Sequence, residues 1–222
     1  MLRYYWLLIF LLLLNPTFAQ DQGFVGPLLN INKSSKIFKN YNLKSNVEFR
    51  QRMFEWSETE SAFNNSQQRA SFQTVLQSDR INDFNHGFGA MYRLNYQSAN
   101  QFRLIQQISF INKIKDYNIG HRFRLDETWR ENEDFIIRMR YRISSQIALR
   151  GQSLDIGEFY FKPSIEYLGI IESGYSTEIR FLTMIGKKLK SESKIEFGID
   201  YRRNVNNFTR NTTWISLQLY LN

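Results

Sequence analysis

The sequence predicts an all-β fold: an antiparallel transmembrane β-barrel of about ten strands, with ten to twelve as the range, following a cleaved signal peptide. Three observations predict it. Residues 134–149 read D-F-I-I-R-M-R-Y-R-I-S-S-Q-I-A-L, and alternate positions separate Phe135, Ile137, Met139, Tyr141, Ile143, Ile147 and Leu149 from Arg138, Arg140, Arg142, Ser144 and Gln146. A period of two over this length is an extended strand with one oily and one charged face, which only Ile136, Ser145 and Ala148 interrupt. The alternation recurs almost to the last residue in segments of roughly ten to fifteen residues, the length of tilted membrane strands. The N-terminus has the build of a secretory signal.

That signal covers residues 1–19: Arg3, an apolar run over 6–14, then Pro16, Thr17, Phe18 and Ala19 ahead of Gln20. Small Thr17 and Ala19 place cleavage before Gln20. Even counted over 4–14, the run is well short of the roughly 20 apolar residues of a spanning helix. No later stretch approaches that length, which excludes a helical membrane protein. The chain has no Cys, so it offers neither a lipoprotein anchor nor a disulfide framework. Lys and Arg number 29 against 21 Asp and Glu, a net charge of +8 that raises nucleic acid or an anionic surface as a partner. Export argues against nucleic acid and leaves outer-membrane lipids, lipopolysaccharide and the barrel-assembly machinery. The expected location is the outer membrane of a Gram-negative bacterium.

Residues 20–40 form an N-terminal arm or an extra strand; the apolar run 24–31 is short and carries Gly26-Pro27, which suits a strand, a plug or a periplasmic arm. The barrel itself is assigned to 41–222. Its strands are placed at 41–53, 69–77, 84–96, 102–112, 117–130, 134–149, 157–167, 175–186, 193–202 and 212–221. An even number of strands puts both termini in the periplasm if the first runs outward. Connections at 57–66, 98–100, 131–133, 169–173 and 205–211 then lie outside, with 79–83, 113–116 and 187–192 on the periplasmic side. Tyr96, Phe102, Trp129, Phe135, Tyr167, Tyr175 and Tyr201 fall at outer strand ends, as an aromatic girdle requires. A water-soluble barrel with its oily face inward satisfies the alternation equally well. Pro163, in mid-strand without a backbone donor, predicts a bulge or local break. Phe54, Trp56, Trp214 and Tyr220 lie on the wrong face of their strands, which a bulge near each rim repairs.

The segments R-L-I-Q-Q-I-S-F (103–110), H-R-F-R-L-D-E (121–127), R-M-R-Y-R-I (138–143) and E-F-Y-F (158–161) resemble the outer-membrane family called domain of unknown function 2490. The likeness covers most of the mature chain, and it implies a β-barrel in the outer membrane. Asp126 stands where that family usually carries Glu. The resemblance implies no activity, so no catalytic residue is carried over.

Chemistry is expected on the inner face. Arg93, Arg103, Arg122, Arg124, Arg138, Arg140 and Arg142, together with Asp126, occupy four consecutive polar strand faces; Glu158, Glu166, Glu178, Glu196 and Asp200 follow, mixed with Lys162, Arg180, Lys194 and Arg202. A barrel of about ten strands is only slightly wider than those whose interiors side chains fill. A charge-paired lumen in which guanidinium groups donate to carboxylates is therefore the first reading, and a narrow anion-preferring pore the second. An outer-membrane lipid-modifying enzyme is the rival class, a soluble periplasmic binding barrel a further one. The only histidines, His86 and His121, project to the oily face, whereas Ser109 and Ser144 point the other way. Adjacent Asp126 and Glu127 face opposite sides, and Glu131, Glu133 and Asp134 crowd an outer turn where solvated acids are ordinary. No cofactor or metal is expected.

Overall fold

The computed structural model describes residues 22–57, 61–79, 84–115, 117–131, 135–151, 154–190, 193–206 and 210–221. The signal segment and the acids Glu133 and Asp134 lie outside the described residues. Among the described residues twelve strands follow one another: β1 (Gln22–Phe38), β2 (Tyr41–Ser57), β3 (Ser61–Ser78), β4 (Phe84–Asn95), β5 (Gln101–Ile114), β6 (Tyr117–Arg130), β7 (Ile136–Ser145), β8 (Ile147–Ala148), β9 (Phe159–Ile171), β10 (Tyr175–Lys188), β11 (Lys194–Asn204) and β12 (Arg210–Leu221). All but the two-residue β8 join a closed ring, in which each strand bonds to the next and β12 returns to β1. The barrel thus has eleven strands, not about ten, and the run 24–31 lies within the added one, β1.

An odd ring cannot alternate direction all the way round. Its one parallel seam is β1 against β12, in register from Gln22↔Arg210 to Lys33↔Leu221. The N-terminal end of β1 and the C-terminal end of β12 consequently sit at opposite rims, which corrects the expectation that both termini share a side. The seam is packed from within: Phe24 meets Trp214 edge to face at 5.0 Å, and Leu28 completes the cluster. Close approach here also explains Gly26, where a Cβ would lie 1.9 Å from the Gln51 carbonyl oxygen.

Pleating sorts side chains to two faces. Apolar residues on the outer face stay exposed, such as Phe88 at 67% and Phe197 at 59%, while Arg103 keeps 2% and Asp126, Glu166 and Glu196 keep none. The barrel is oily outside and charged inside. Phe102, Trp129 and Phe135 touch in a row at one end, with Tyr96, Tyr167 and Tyr175 exposed around the same rim. Phe38, Tyr41, Phe84, Tyr117 and Phe159 are exposed around the other. These are called the Tyr96 rim and the Tyr117 rim below.

Pro163 has its effect on the neighbouring strand. β9 itself is unbroken and pairs Pro163 with Thr183 of β10. Towards β7 the ladder stops at Ser144↔Ser164 and resumes in β8 at Ile147↔Phe161, so the gap that splits β7 from β8 faces the residue with no N–H to give. In β2 the register shifts between Arg50 and Phe54, and Phe54 is turned outward, where it meets Trp56. β12 has no such bulge: its ladders to β11 and β1 run without a shift. Trp214 and Tyr220 instead point inward, Trp214 because Phe24 packs it and Tyr220 because a carboxylate accepts its hydroxyl.

Candidate functional site

The inner faces enclose a cavity of about 850 Å³ lined by side chains of β1 to β7 and β9 to β12. Two buried carboxylates organise one arc of its wall. Asp126 on β6 accepts from Arg124 at 2.5 Å and Arg103 at 3.4 Å and forms an ion pair with Arg140 at 3.0 Å. Glu166 on β9 meets Arg142 at 2.8 Å, Arg180 at 3.1 Å, Arg122 at 3.3 Å and Arg140 at 3.9 Å. Register makes this possible, because Arg142↔Glu166 and Glu166↔Arg180 are direct cross-strand neighbours. Each acid therefore serves three or four guanidinium groups through charge-assisted hydrogen bonds and ion pairs.

A third carboxylate has a different shell. Glu196 on β11 accepts from Tyr160 at 2.7 Å and Tyr220 at 3.2 Å, and from Lys162 at 2.8 Å, with Lys194 at 3.7 Å. Tyr160, Gly186 and Glu196 lie in one row across β9, β10 and β11. Gly186 lets the Tyr160 ring lie over the strand, since a Cβ there would be 2.3 Å from the ring. Smaller pairs complete the acids: Asp200 with Arg202 at 2.5 Å, Glu48 with Arg50 at 2.8 Å, and Glu178 with Arg180.

Of the residues expected on the inner face, Arg93, Arg103, Arg122, Arg124, Arg138, Arg140, Arg142 and Glu178 line the cavity. Asp126, Glu166 and Glu196 are buried behind their partners. Glu158 does not join them. It precedes β9 in a turn at the Tyr117 rim, where its carboxylate accepts the Asp155 N–H at 3.0 Å, because the strand starts at Phe159, two residues later than the alternation suggests. Arg93 and Arg138 bond to neutral groups, Arg93 to Ser71 at 3.0 Å and Gln101 at 3.3 Å, Arg138 to Thr128 at 2.8 Å. Sequence reasoning left Glu48 and Arg50 out of the cluster although they alternate correctly, and it missed Arg69, whose parity matches Ser71 and Gln73 on the same strand. It gave no inner role to Tyr160, Trp214 or Tyr220.

Side chains also reach between strands that are not neighbours: Arg124 on β6 donates to Gln73 on β3 at 3.0 Å. The lumen is partly filled, and the space that remains is strongly basic, with Glu48, Glu178 and Asp200 the carboxylates on its surface among the described residues. His121 lies on the outer face, stacked on Phe110 at 4.7 Å with its Nδ1 2.8 Å from the Tyr141 hydroxyl. Neither Ser109 nor Ser144 is its partner. Among the described residues no group of three or more His, Cys, Asp and Glu could hold a metal ion.

No curated protein and no solved structure matches the chain. A family model does, over residues 28–213, which span the barrel from β1 to β12. By that match the chain belongs to the family described as Protein of unknown function (DUF2490).

Proposed function

We propose that this protein is an integral β-barrel of the bacterial outer membrane whose charged lumen serves as a structural core or a narrow conduit. The observation that carries the reading is the inversion of polarity: aromatic and aliphatic side chains exposed around the barrel, and carboxylates with no exposure at all inside it. Soluble proteins rarely expose continuous apolar surface beyond a few hundred Å², whereas a bilayer demands it and a closed ring satisfies every backbone donor and acceptor there. Aromatic rings at both rims suit the two lipid–water interfaces. On this reading the Tyr96 rim faces outward, and the barrel-assembly machinery, membrane lipids and lipopolysaccharide are its partners.

The barrel should resist carbonate extraction and change gel mobility on boiling. Met139→Asp, on the exposed face of β7, should reduce the inserted fraction several-fold, while Ser144→Asp, facing the lumen, should reduce it far less. Recovery of folded wild-type protein in the soluble fraction supports the periplasmic binding barrel instead. A changed lipid A or phospholipid profile on His121→Ala, with insertion intact, supports the lipid-modifying enzyme. Arg140→Glu separates conduit from scaffold: in planar bilayers an open lumen shows anion-preferring current that the variant lowers or reverses, and a closed one shows none.

A further inference from the structure

The arc of the lumen formed by β2, β3 and β4 has arginines without enough acid to hold them. Arg50 and Arg69 are direct cross-strand neighbours, and Ser71 sits between Glu48 on one side and Arg93 on the other. Arg93 is thus diagonal to Arg69, within reach for long side chains. These strands set three guanidinium groups against one carboxylate, which Arg50 already holds at 2.8 Å, and the nearby Asp200 of β11 is held by Arg202 at 2.5 Å. Like charges directly opposite one another destabilise a sheet, the more so away from bulk water.

The donors left over point to what is missing. Arg50 is 6% exposed, its guanidinium lies over the Trp214 ring at 5.2 Å, and its Nη1 has no hydrogen-bond partner. Arg69 Nε is likewise buried without a partner. Arg93 spends its bonds on Ser71, Gln101 and the Met91 sulfur, all uncharged. All three arginines and Ser71 line the cavity. Guanidinium groups of one sign, held in place by the barrel wall and lining one space, match the tetrahedral or planar oxygens of a small anion.

We propose that Arg50, Arg69, Arg93 and Ser71 form a binding site in the lumen for a small free oxyanion of the phosphate class. The anion supplies the charge that Glu48 alone does not, accepting from Arg69 and Arg93 with Arg50 Nη1 behind. The inference goes beyond the membrane reading and stands on the closed lumen, so its test is read on detergent-purified protein with no bilayer.

The probe is inorganic phosphate, titrated against chloride at matched ionic strength while thermal unfolding is followed. A ligand that binds only the folded state raises the midpoint with concentration. Phosphate should raise it progressively where chloride does not, and Arg69→Gln or Arg93→Gln should abolish the response, with Arg142→Gln in the acid-held arc retaining it. Without phosphate, Arg69→Gln should unfold at the same temperature as the parent or a higher one, because a repelling charge has gone. Equal effects of phosphate and chloride, or an undiminished response in Arg69→Gln and Arg93→Gln, overturn the proposal. So does failure of Arg69→Gln to fold, which would mean that its guanidinium is already satisfied within the protein. Carbonate extraction is scored separately, so the site and the membrane reading fail independently.

Discussion

On β5 to β10 the lumen's arginines, Arg138 excepted, converge on acids, and on β2 to β4 they largely do not. Asp126 and Glu166 gather Arg103, Arg122, Arg124, Arg140, Arg142 and Arg180 within 3.4 Å of one or the other. Glu48 is held by Arg50 alone, while Arg69 and Arg93 have no carboxylate within salt-bridge distance among the described residues. The difference lies in where the carboxylate sits. Glu166 has cation-bearing strands on both sides in register, so guanidinium groups reach it without crossing the lumen. Glu48 has Asn30 on one side and Ser71 on the other. The same residue types thus make a rigid ionic layer in one arc and a site in want of a counter-ion in the other.

Glu166→Gln has the largest expected effect. It leaves four arginines around a neutral amide, and removing one partner of a buried ionic cluster costs about 3–5 kcal/mol. Urea unfolding in detergent should show that loss or a failure to fold; an unchanged midpoint would mean that the acid-held arc is no better compensated than the other. Gly186→Ala should come next. The added methyl collides with the Tyr160 ring, and overpacking of this kind costs about 1–3 kcal/mol. The Tyr160→Glu196 bond should be lost with it, read as a changed tyrosine absorbance. Tyr220→Phe has the smallest expected effect. It removes one of three hydrogen-bond donors around Glu196, worth about 1 kcal/mol. A loss as large as that of Glu166→Gln would make the phenol, and not the lysines, the main support of that carboxylate.

Much of this architecture is local and could be read from the chain. Facing direction depends on parity within one strand, so the arginines of residues 138–142 and the apolar set beside them sort correctly without knowledge of any neighbour. The same reasoning failed at Glu158, where a strand boundary decides, and at Trp214 and Tyr220. There it treated a large aromatic on the polar face as an error to be repaired by a bulge. Phe24 and Glu196, distant in sequence, make those inward positions favourable.

By itself, then, the sequence determined that the chain is all-β, that each strand has one oily and one charged face, and which arginines share the charged side, because those properties depend on residues two positions apart. Only the tertiary structure decided that eleven strands close through a parallel seam. Cross-strand register likewise sets that two acids hold six arginines while Arg69 and Arg93 have no carboxylate within salt-bridge distance among the described residues, because those pairings depend on which strands become neighbours.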